Sequence, residues 1–260
     1  MTDRTALLTG AGGRLGRTIA AILQREGARV ALADLDEDKA VLACRELEGE
    51  GSAVTAVAGD VSSEPDVARM IEQAESALGR IDLLVSAHGI FPNCPVVDVE
   101  VGEWDRVFAV NVRGTMLPCR HLARKWIERG TKGSIVNISS GAARSARAGG
   151  AHYTGSKAAV EMLTQVLAIE LGPHGIRVNA VAPGLVLDEV ITSESADLHP
   201  YVKLMLRGTP LRRTGSPADV AEAVAFLASE RSAWTTGSVL EVSGGSHCGR
   251  PHVPLTRDLT

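Results

Sequence analysis

Residues 5–23 read TALLTGAGGRLGRTIAAIL: a short apolar run from Thr5 to Thr9, the turn Gly10-Ala11-Gly12-Gly13-Arg14-Leu15-Gly16, then a segment of helical period. A strand feeding a helix through glycines permits a tight turn in which a pyrophosphate can approach backbone N–H groups at the helix start. Taken alone, the turn fits plain strand-to-helix packing equally well. The same rhythm recurs along the chain. ARVALAD (28–34), AVTAVAG (53–59), IDLLVSA (81–87), GSIVNIS (133–139), IRVNAVA (176–182) and GSVLEVSG (237–244) alternate with helical segments such as PDVARMIEQAESALG (65–79). Alternation of this kind implies parallel strands joined by crossover helices. The strand runs are almost continuously apolar, as expected when helices cover both faces of the sheet. The expected fold is therefore a seven-stranded, doubly wound α/β sheet in one domain spanning 1–260. Ser63 or Glu64 before Pro65, and Ser216 before Pro217, read as helix starts. The stretch from Leu185 to about Pro210 breaks the rhythm and is a candidate lid over a substrate.

The composition narrows the function class. The 260 residues are 45% hydrophobic and 22% charged, with a formal net charge of −4 and no long block of one sign. That balance suits a sizeable core and gives no nucleic-acid footprint or polybasic membrane anchor. The N-terminus MTDRTALLTG lacks a signal-peptide pattern, and no apolar run approaches the ~18 residues of a membrane span, so a cytoplasmic protein with small-molecule partners is expected. Cys44, Cys94, Cys119 and Cys248 are scattered without metal-ligand spacing, so reduced thiols and no metal are expected.

The second strand run ends in Ala33-Asp34, where a carboxylate can accept hydrogen bonds from both hydroxyls of an adenosine ribose and would repel a 2′-phosphate. NAD is therefore expected in preference to NADP. The competing reading is a turn acid or helix cap, a role open to Asp36 as well. Asp60-Val61, after the third strand run, can touch the adenine or simply make a turn.

Tyr153 and Lys157 stand four apart in HYTGSKAAV, and Ser140 lies thirteen positions before the tyrosine at the end of a strand run. On a helix, positions four apart share a face, so the ammonium and phenol can address one small volume. A phenol with a pKa of about 10 needs a shift of roughly 3 units to act as a base near neutrality, and Lys157 is the expected source of that shift. Each residue separately has a structural alternative: a chance pair, a turn cap for Ser140, a helix cap for Asn111.

Together these residues resemble the short-chain dehydrogenase/reductase family, from Thr5 to about Gly245. The resemblance rests on TGAGGRLG, Asp34, Asp60, Asn111 in AVNVRGT, Ser140, YTGSK and the RVNAVAPG segment with Asn179, Pro183 and Gly184. It implies a Rossmann-type sheet with strand order 3-2-1-4-5-6-7 and a homotetramer joined through the helix carrying Tyr153, where Gly155, Ala158 and Ala159 suit close contact. It implies that Tyr153 exchanges a proton with the substrate oxygen, that Ser140 hydrogen-bonds that oxygen, that Lys157 binds the nicotinamide ribose and that Asn111 completes the proton relay. Cofactor contacts are implied for Gly10, Gly12, Gly13, Arg14, Leu15, Gly16, Asp34, Leu35, Asp60, Val61, Ala87, Gly89, Tyr153, Lys157, Pro183, Gly184 and Val186.

Three positions depart from the family pattern. Arg14 replaces the middle glycine of the turn, where pteridine reductases carry arginine, and is expected along the pyrophosphate or towards the substrate. His88, within Ser86-Ala87-His88-Gly89, replaces an asparagine-rich segment and reads as structural or as an extra titrating group. Asp188 replaces the threonine that commonly meets the carboxamide. Phe91, Arg144, Arg147, His152 and Leu185 are expected to face the substrate, and the two arginines suggest a carboxylate or phosphate on it, with solvated loop residues as the alternative. The expected activity is NAD-dependent interconversion of a secondary alcohol and a ketone on a small polar molecule, in the oxidative direction. The alternatives are an NADPH-dependent 3-oxoacyl-thioester or pteridine reductase, and a catalytically silent dinucleotide-binding regulator.

Overall fold

The computed structural model describes residues 1–49, 53–195 and 198–249. In chain order the elements are β1 (Thr5–Thr9), α1 (Arg14–Arg25), β2 (Arg29–Asp34), α2 (Glu37–Leu47), β3 (Val54–Ala58), α3 (Glu64–Leu78), β4 (Leu83–Ser86) and α4 (Val101–Phe108). They continue with α5 (Gly114–Arg129), β5 (Ser134–Ile138), α6 (Ala151–Leu171), β6 (Arg177–Pro183), α7 (Pro200–Arg207), α8 (Pro217–Ala228) and β7 (Val239–Val242). The strands form one parallel sheet in the order β3-β2-β1-β4-β5-β6-β7, the order that the family resemblance implied.

Alternation along each strand separates two cores. Ala6 and Leu8 face α1 and α8, with Ile19, Leu23, Val220 and Val224. Leu7 faces the other way, towards Met70, Ile71, Leu122 and Trp126 of α3 and α5. Both faces are buried, which is why these strands are apolar throughout. The two proline-marked helix starts are present: Ser63 precedes α3, and Ser216 forms a reciprocal capping box with Asp219 at α8.

The chain folds outward from β1 to β3 and then returns to place β4 on the other side of β1, so the sheet has a topological switch point between β1 and β4. Ligand crevices form there because the loops at the carboxyl ends of the two strands turn in opposite directions. At this point Gly10 has φ 71°, and a Cβ on it would lie 2.6 Å from His88 Cα; only glycine lets the two loops come together.

The segment expected as a lid contains an element that its sequence rhythm did not reveal. Its described part holds α7, whose His199 side chain accepts from Tyr201 N–H while Pro200 occupies the first turn. His199-Pro200 is thus a helix start, of the same kind as those at α3 and α8. Residues 196–197 of that segment, and residues 50–52 and 250–260 of the expected single domain, lie outside the described residues.

Candidate active site

Helix α1 begins without a side-chain cap and without an acid in its first turn, so its N-terminal N–H groups and positive dipole end are directed at the crevice. A Cβ on Gly16 would lie 2.2 Å from Gly10 O, which makes this turn a cradle of backbone. The carboxylate of Asp34 closes the far side: its Oδ2 accepts from Gly12 N–H at 2.9 Å and its Oδ1 from Asp36 N–H at 3.1 Å. Asp36, meanwhile, caps α2 through Lys39 N–H, so the competing cap role falls to it and not to Asp34. Each Asp34 oxygen retains acceptor capacity for a sugar hydroxyl. Leu35 beside it is exposed. Asp60 Oδ1 accepts from the N–H and hydroxyl of Ser62, a turn role, while Val61 packs against the Gly114 position.

On the other side of the switch point, Ala87 N–H donates to Thr9 O. Gly89 lies close under two polar groups, since a Cβ there would be 3.3 Å from Asn111 Oδ1 and 3.4 Å from Lys157 Nζ. Pro183 and Gly184 end β6 against β7, where a Cβ on Gly184 would meet Ser243 Cα at 2.8 Å. Beyond them, Leu185 O and Leu187 N–H bond Gly215, which leaves the intervening Val186 N–H and C=O directed away from that bridge. The uncapped helix start, the glycine cradle, Asp34 and the free Val186 amide fit a dinucleotide laid from adenosine to nicotinamide. Gly10, Gly12, Gly13, Leu15 and Gly16 would hold its phosphates, Asp34 its adenosine ribose and Val186 its carboxamide.

Ser140 leaves β5 with an extended backbone. Its Oγ accepts from Ala142 N–H at 3.1 Å, and its side chain is near enough to the Tyr153 phenol to lower that group's pKa. Ser139 points the opposite way, to Glu161 Oε1 at 2.9 Å. Tyr153 occupies the first turn of α6, and one turn later the buried Lys157 donates from Nζ to Ile138 O at 2.8 Å. Asn111 sits in a single π-helical turn, Ala109–Arg113, between α4 and α5. Its Oδ1 accepts from Ile90 N–H and its Nδ2 donates to Ile90 O and Ser156 Oγ, each at 2.9 Å, so one side chain fastens the loop after β4 to α6.

The electrostatics reverse one expectation. Burial raises the Tyr153 pKa above that of a free phenol, and the opposing influences are the nearby Ser140 side chain and the Arg147 charge; Lys157 is not among them. Lys157 is itself so deeply buried that its pKa falls to about 8. Desolvation disfavours the charged form of both groups, which moves an acid up and a base down. His88 is half-buried and neutral: desolvation and the Lys157 charge push its pKa down to about 3, while its Nδ1 meets Thr9 Oγ1 at 2.7 Å. Val110's backbone opposes that shift without completing a hydrogen bond to Nε2, which has no partner among the described residues.

Two residues expected at the substrate are placed elsewhere. His152 is fully buried, with Nδ1 accepting from Tyr153 N–H and Nε2 3.2 Å from Glu103 Oε1 of α4. Arg144 is clamped between two acids, with Nε 2.9 Å from Glu161 Oε2 and Nη1 3.1 Å from Glu241 Oε1. In both cases a carboxylate from a distant segment takes the side chain, a pairing that local sequence does not display. Arg14, expected along the pyrophosphate, forms an ion pair with Asp188. These are two of the positions that depart from the family pattern, and they meet across the cleft mouth. Phe91 does face the phenol, its ring edge-on to Tyr153 at 6.2 Å between centroids. Leu185 lies at the base of the segment leading to α7. Arg147 reaches α7, with Nη1 3.2 Å from Tyr201 Oη. Tyr201 is a mouth residue that the sequence reading missed, and the His199-Pro200 helix start was the signal that could have located it.

A family profile described as enoyl-(acyl carrier protein) reductase matches residues 10–247. The chain is 40% identical over 248 residues to (3R)-3-hydroxyacyl-CoA dehydrogenase of Mus musculus, covering 92% of this chain and 95% of that one. Among solved structures it resembles 3-ketoacyl-(acyl-carrier-protein) reductase from Brucella melitensis complexed with NADH, with TM-score 0.84, 36% identity and coverage of 95% and 99%. It also resembles a gluconate 5-dehydrogenase from Burkholderia cenocepacia in complex with NADP and tartrate, with TM-score 0.88, 32% identity and coverage of 96% and 97%.

Proposed function

The chain belongs to the short-chain dehydrogenase/reductase family, and on that premise we propose that it is an NAD-preferring oxidoreductase that oxidises a secondary alcohol on a small polar substrate to the ketone. Its reaction class, NAD(P)-dependent interconversion of alcohol and ketone, is that of its relatives. The observation that carries the assignment of roles is the convergence on the Tyr153 phenol of the Ser140 side chain and the edge-on Phe91 ring, one helical turn from Lys157.

Tyr153 receives the proton of the substrate hydroxyl as a general base, a role worth on the order of 10²–10⁴ in rate. Ser140 orients the same oxygen: because its Oγ already accepts from Ala142 N–H, its own hydrogen is available to donate. The protein groups alone leave the phenol above its ordinary pKa, so it needs positive charge beside it. Lys157 would hold the nicotinamide ribose, and Asn111 fastens the loop and helix that carry the reacting groups. Bound dinucleotide supplies the hydride acceptor.

Support for NAD comes from Asp34, whose charge would repel a 2′-phosphate by roughly 2 kcal/mol at partly screened range, about thirtyfold in affinity. A homotetramer through α6 is supported by its exposed apolar face, Met162, Val166 and Ile169. With no helix long and apolar enough to cross a membrane among the described residues, a cytoplasmic site of action fits the small-molecule chemistry.

The test is turnover of polyols, hydroxy acids, sugars and steroids with NAD and with NADP, for the wild type and Tyr153→Phe. NAD should be favoured at least tenfold and the Tyr153→Phe enzyme should lose nearly all turnover. Preference for NADP would sink the cofactor reading, and an active phenylalanine variant would sink the base.

A further inference from the structure

Arg144 and Arg147 lie three apart at the mouth of the site, yet the fold treats them oppositely. Arg144 is neutralised twice over, by Glu161 and Glu241. Arg14 is matched by Asp188. Arg147 has no carboxylate partner among the described residues; its guanidinium rests on Tyr201 Oη, which engages one of its five donors. Its Cγ lies 3.3 Å from the Cβ position of Gly150, so glycine at the start of α6 leaves room for the stem to pass beside the turn that carries Tyr153. The Arg147 charge is felt at the Tyr153 phenol. Across the mouth, α7 contributes Tyr201, the residue that meets the guanidinium. The mouth therefore combines an aromatic wall, Phe91 against Tyr153, with a single open cation, Arg147, steadied by Tyr201 of α7.

We propose that Arg147 determines specificity for an anionic substrate, a secondary alcohol or its ketone bearing a carboxylate or similar oxyanion, which the guanidinium holds while the hydroxyl meets Ser140 and Tyr153. A planar guanidinium grips such a group through two parallel N–H donors and so sets orientation as well as affinity. Arg147 is exposed, so solvent screens the interaction and its effect is expected mainly in KM. The inference rests on reading Ser140 and Tyr153 as the reacting end of the cleft.

The experiment compares hydroxy acids with their primary amides, which keep the shape and remove the charge: 3-hydroxybutyrate, malate and gluconate against the corresponding amides, with NAD, at fixed ionic strength. Tartrate and tartramide, followed by fluorescence of the enzyme–NADH complex, provide a binding readout that needs no turnover. Wild type should favour acid over amide about tenfold, a ratio that Arg147→Gln abolishes, Arg147→Lys partly restores and Tyr201→Phe leaves largely in place. A merely structural role would lower acid and amide together and leave the ratio unmoved, which would overturn the proposal, as would equal use of acids and amides by the wild type. The two readings fail separately. Equal binding of tartrate and tartramide removes the anion site while leaving dehydrogenase activity untouched, whereas an active Tyr153→Phe enzyme removes the base without altering the binding ratio.

Discussion

The glycine turn after β1 and the mouth formed after β5 and β6 belong to one cleft but are built from different materials. At the turn, main-chain proximity decides the structure: Gly10 against His88, Gly16 against Gly10 O. At the mouth, long side chains from remote segments decide it, as Arg147 meets Tyr201 54 positions away and Arg144 meets Glu241 97 positions away. The first construction tolerates almost no added atom; the second can be re-paired. The turn should therefore respond to substitution in stability and cofactor affinity together, and the mouth mostly in selectivity.

Gly16→Ala is the most severe test of that contrast. Its new methyl would press into backbone on both Gly10 and Ala11, so a loss of about 3 kcal/mol or more in chemical denaturation, with weakened dinucleotide binding, is expected. Near-wild-type stability would show that the turn can yield and would erase the distinction.

Lys157→Met probes the cleft floor between the two ends. In the folded protein Lys157 loses its proton near pH 8, against 10.5 for an unperturbed lysine. Between those values the unfolded chain holds more protons, so wild-type stability rises with pH across that window, and below it the burial penalty is present in full. The methionine variant should be the more stable near pH 7, by up to about 3 kcal/mol, with the advantage fading towards pH 10.5 and turnover lost. Thermal melts across that range check the sign, and a variant less stable at pH 7 would contradict it.

Asp34→Ala should cost NAD about tenfold in affinity while NADP gains, read from KM ratios, because a carboxylate that accepts from a ribose also repels a phosphate. Unchanged ratios would assign Asp34 only its turn hydrogen bonds to Gly12 and Asp36. The smallest expected effect is at the mouth. Arg14 and Asp188 are more than half exposed, so Arg14→Ala or Asp188→Ala should alter stability by less than ~1 kcal/mol. Stopped-flow release of NADH should nonetheless change a few-fold, since the pair joins the glycine turn to the segment just beyond Val186. A stability loss like that of Gly16→Ala would mean that mouth and turn are built alike.

The contrast also explains what could be read before folding. Strand runs, the helix starts at Ser63 and Ser216, the glycine turn and the order of Asn111, Ser140, Tyr153 and Lys157 are written locally, in periodicity, caps and spacing. Asp36 as the cap of α2 and Ser139 facing away from Ser140 follow from the same short-range rules. The partners of His152, Arg144 and Arg14 were not legible, because each side chain is met by an acid from another segment: Glu103, Glu161 with Glu241, and Asp188.

By itself, then, the sequence determined a doubly wound sheet, a tight glycine turn and the spacing of Ser140, Tyr153 and Lys157, because each depends on neighbours within a turn or two of chain. Only the tertiary structure decided that Tyr153 is raised by burial, that Asn111 sits in a π-turn fastening loop to helix, and that of two nearby arginines one is spent and one is open. Burial and ion pairing depend on which distant segments the fold brings together, and that information resides in packing.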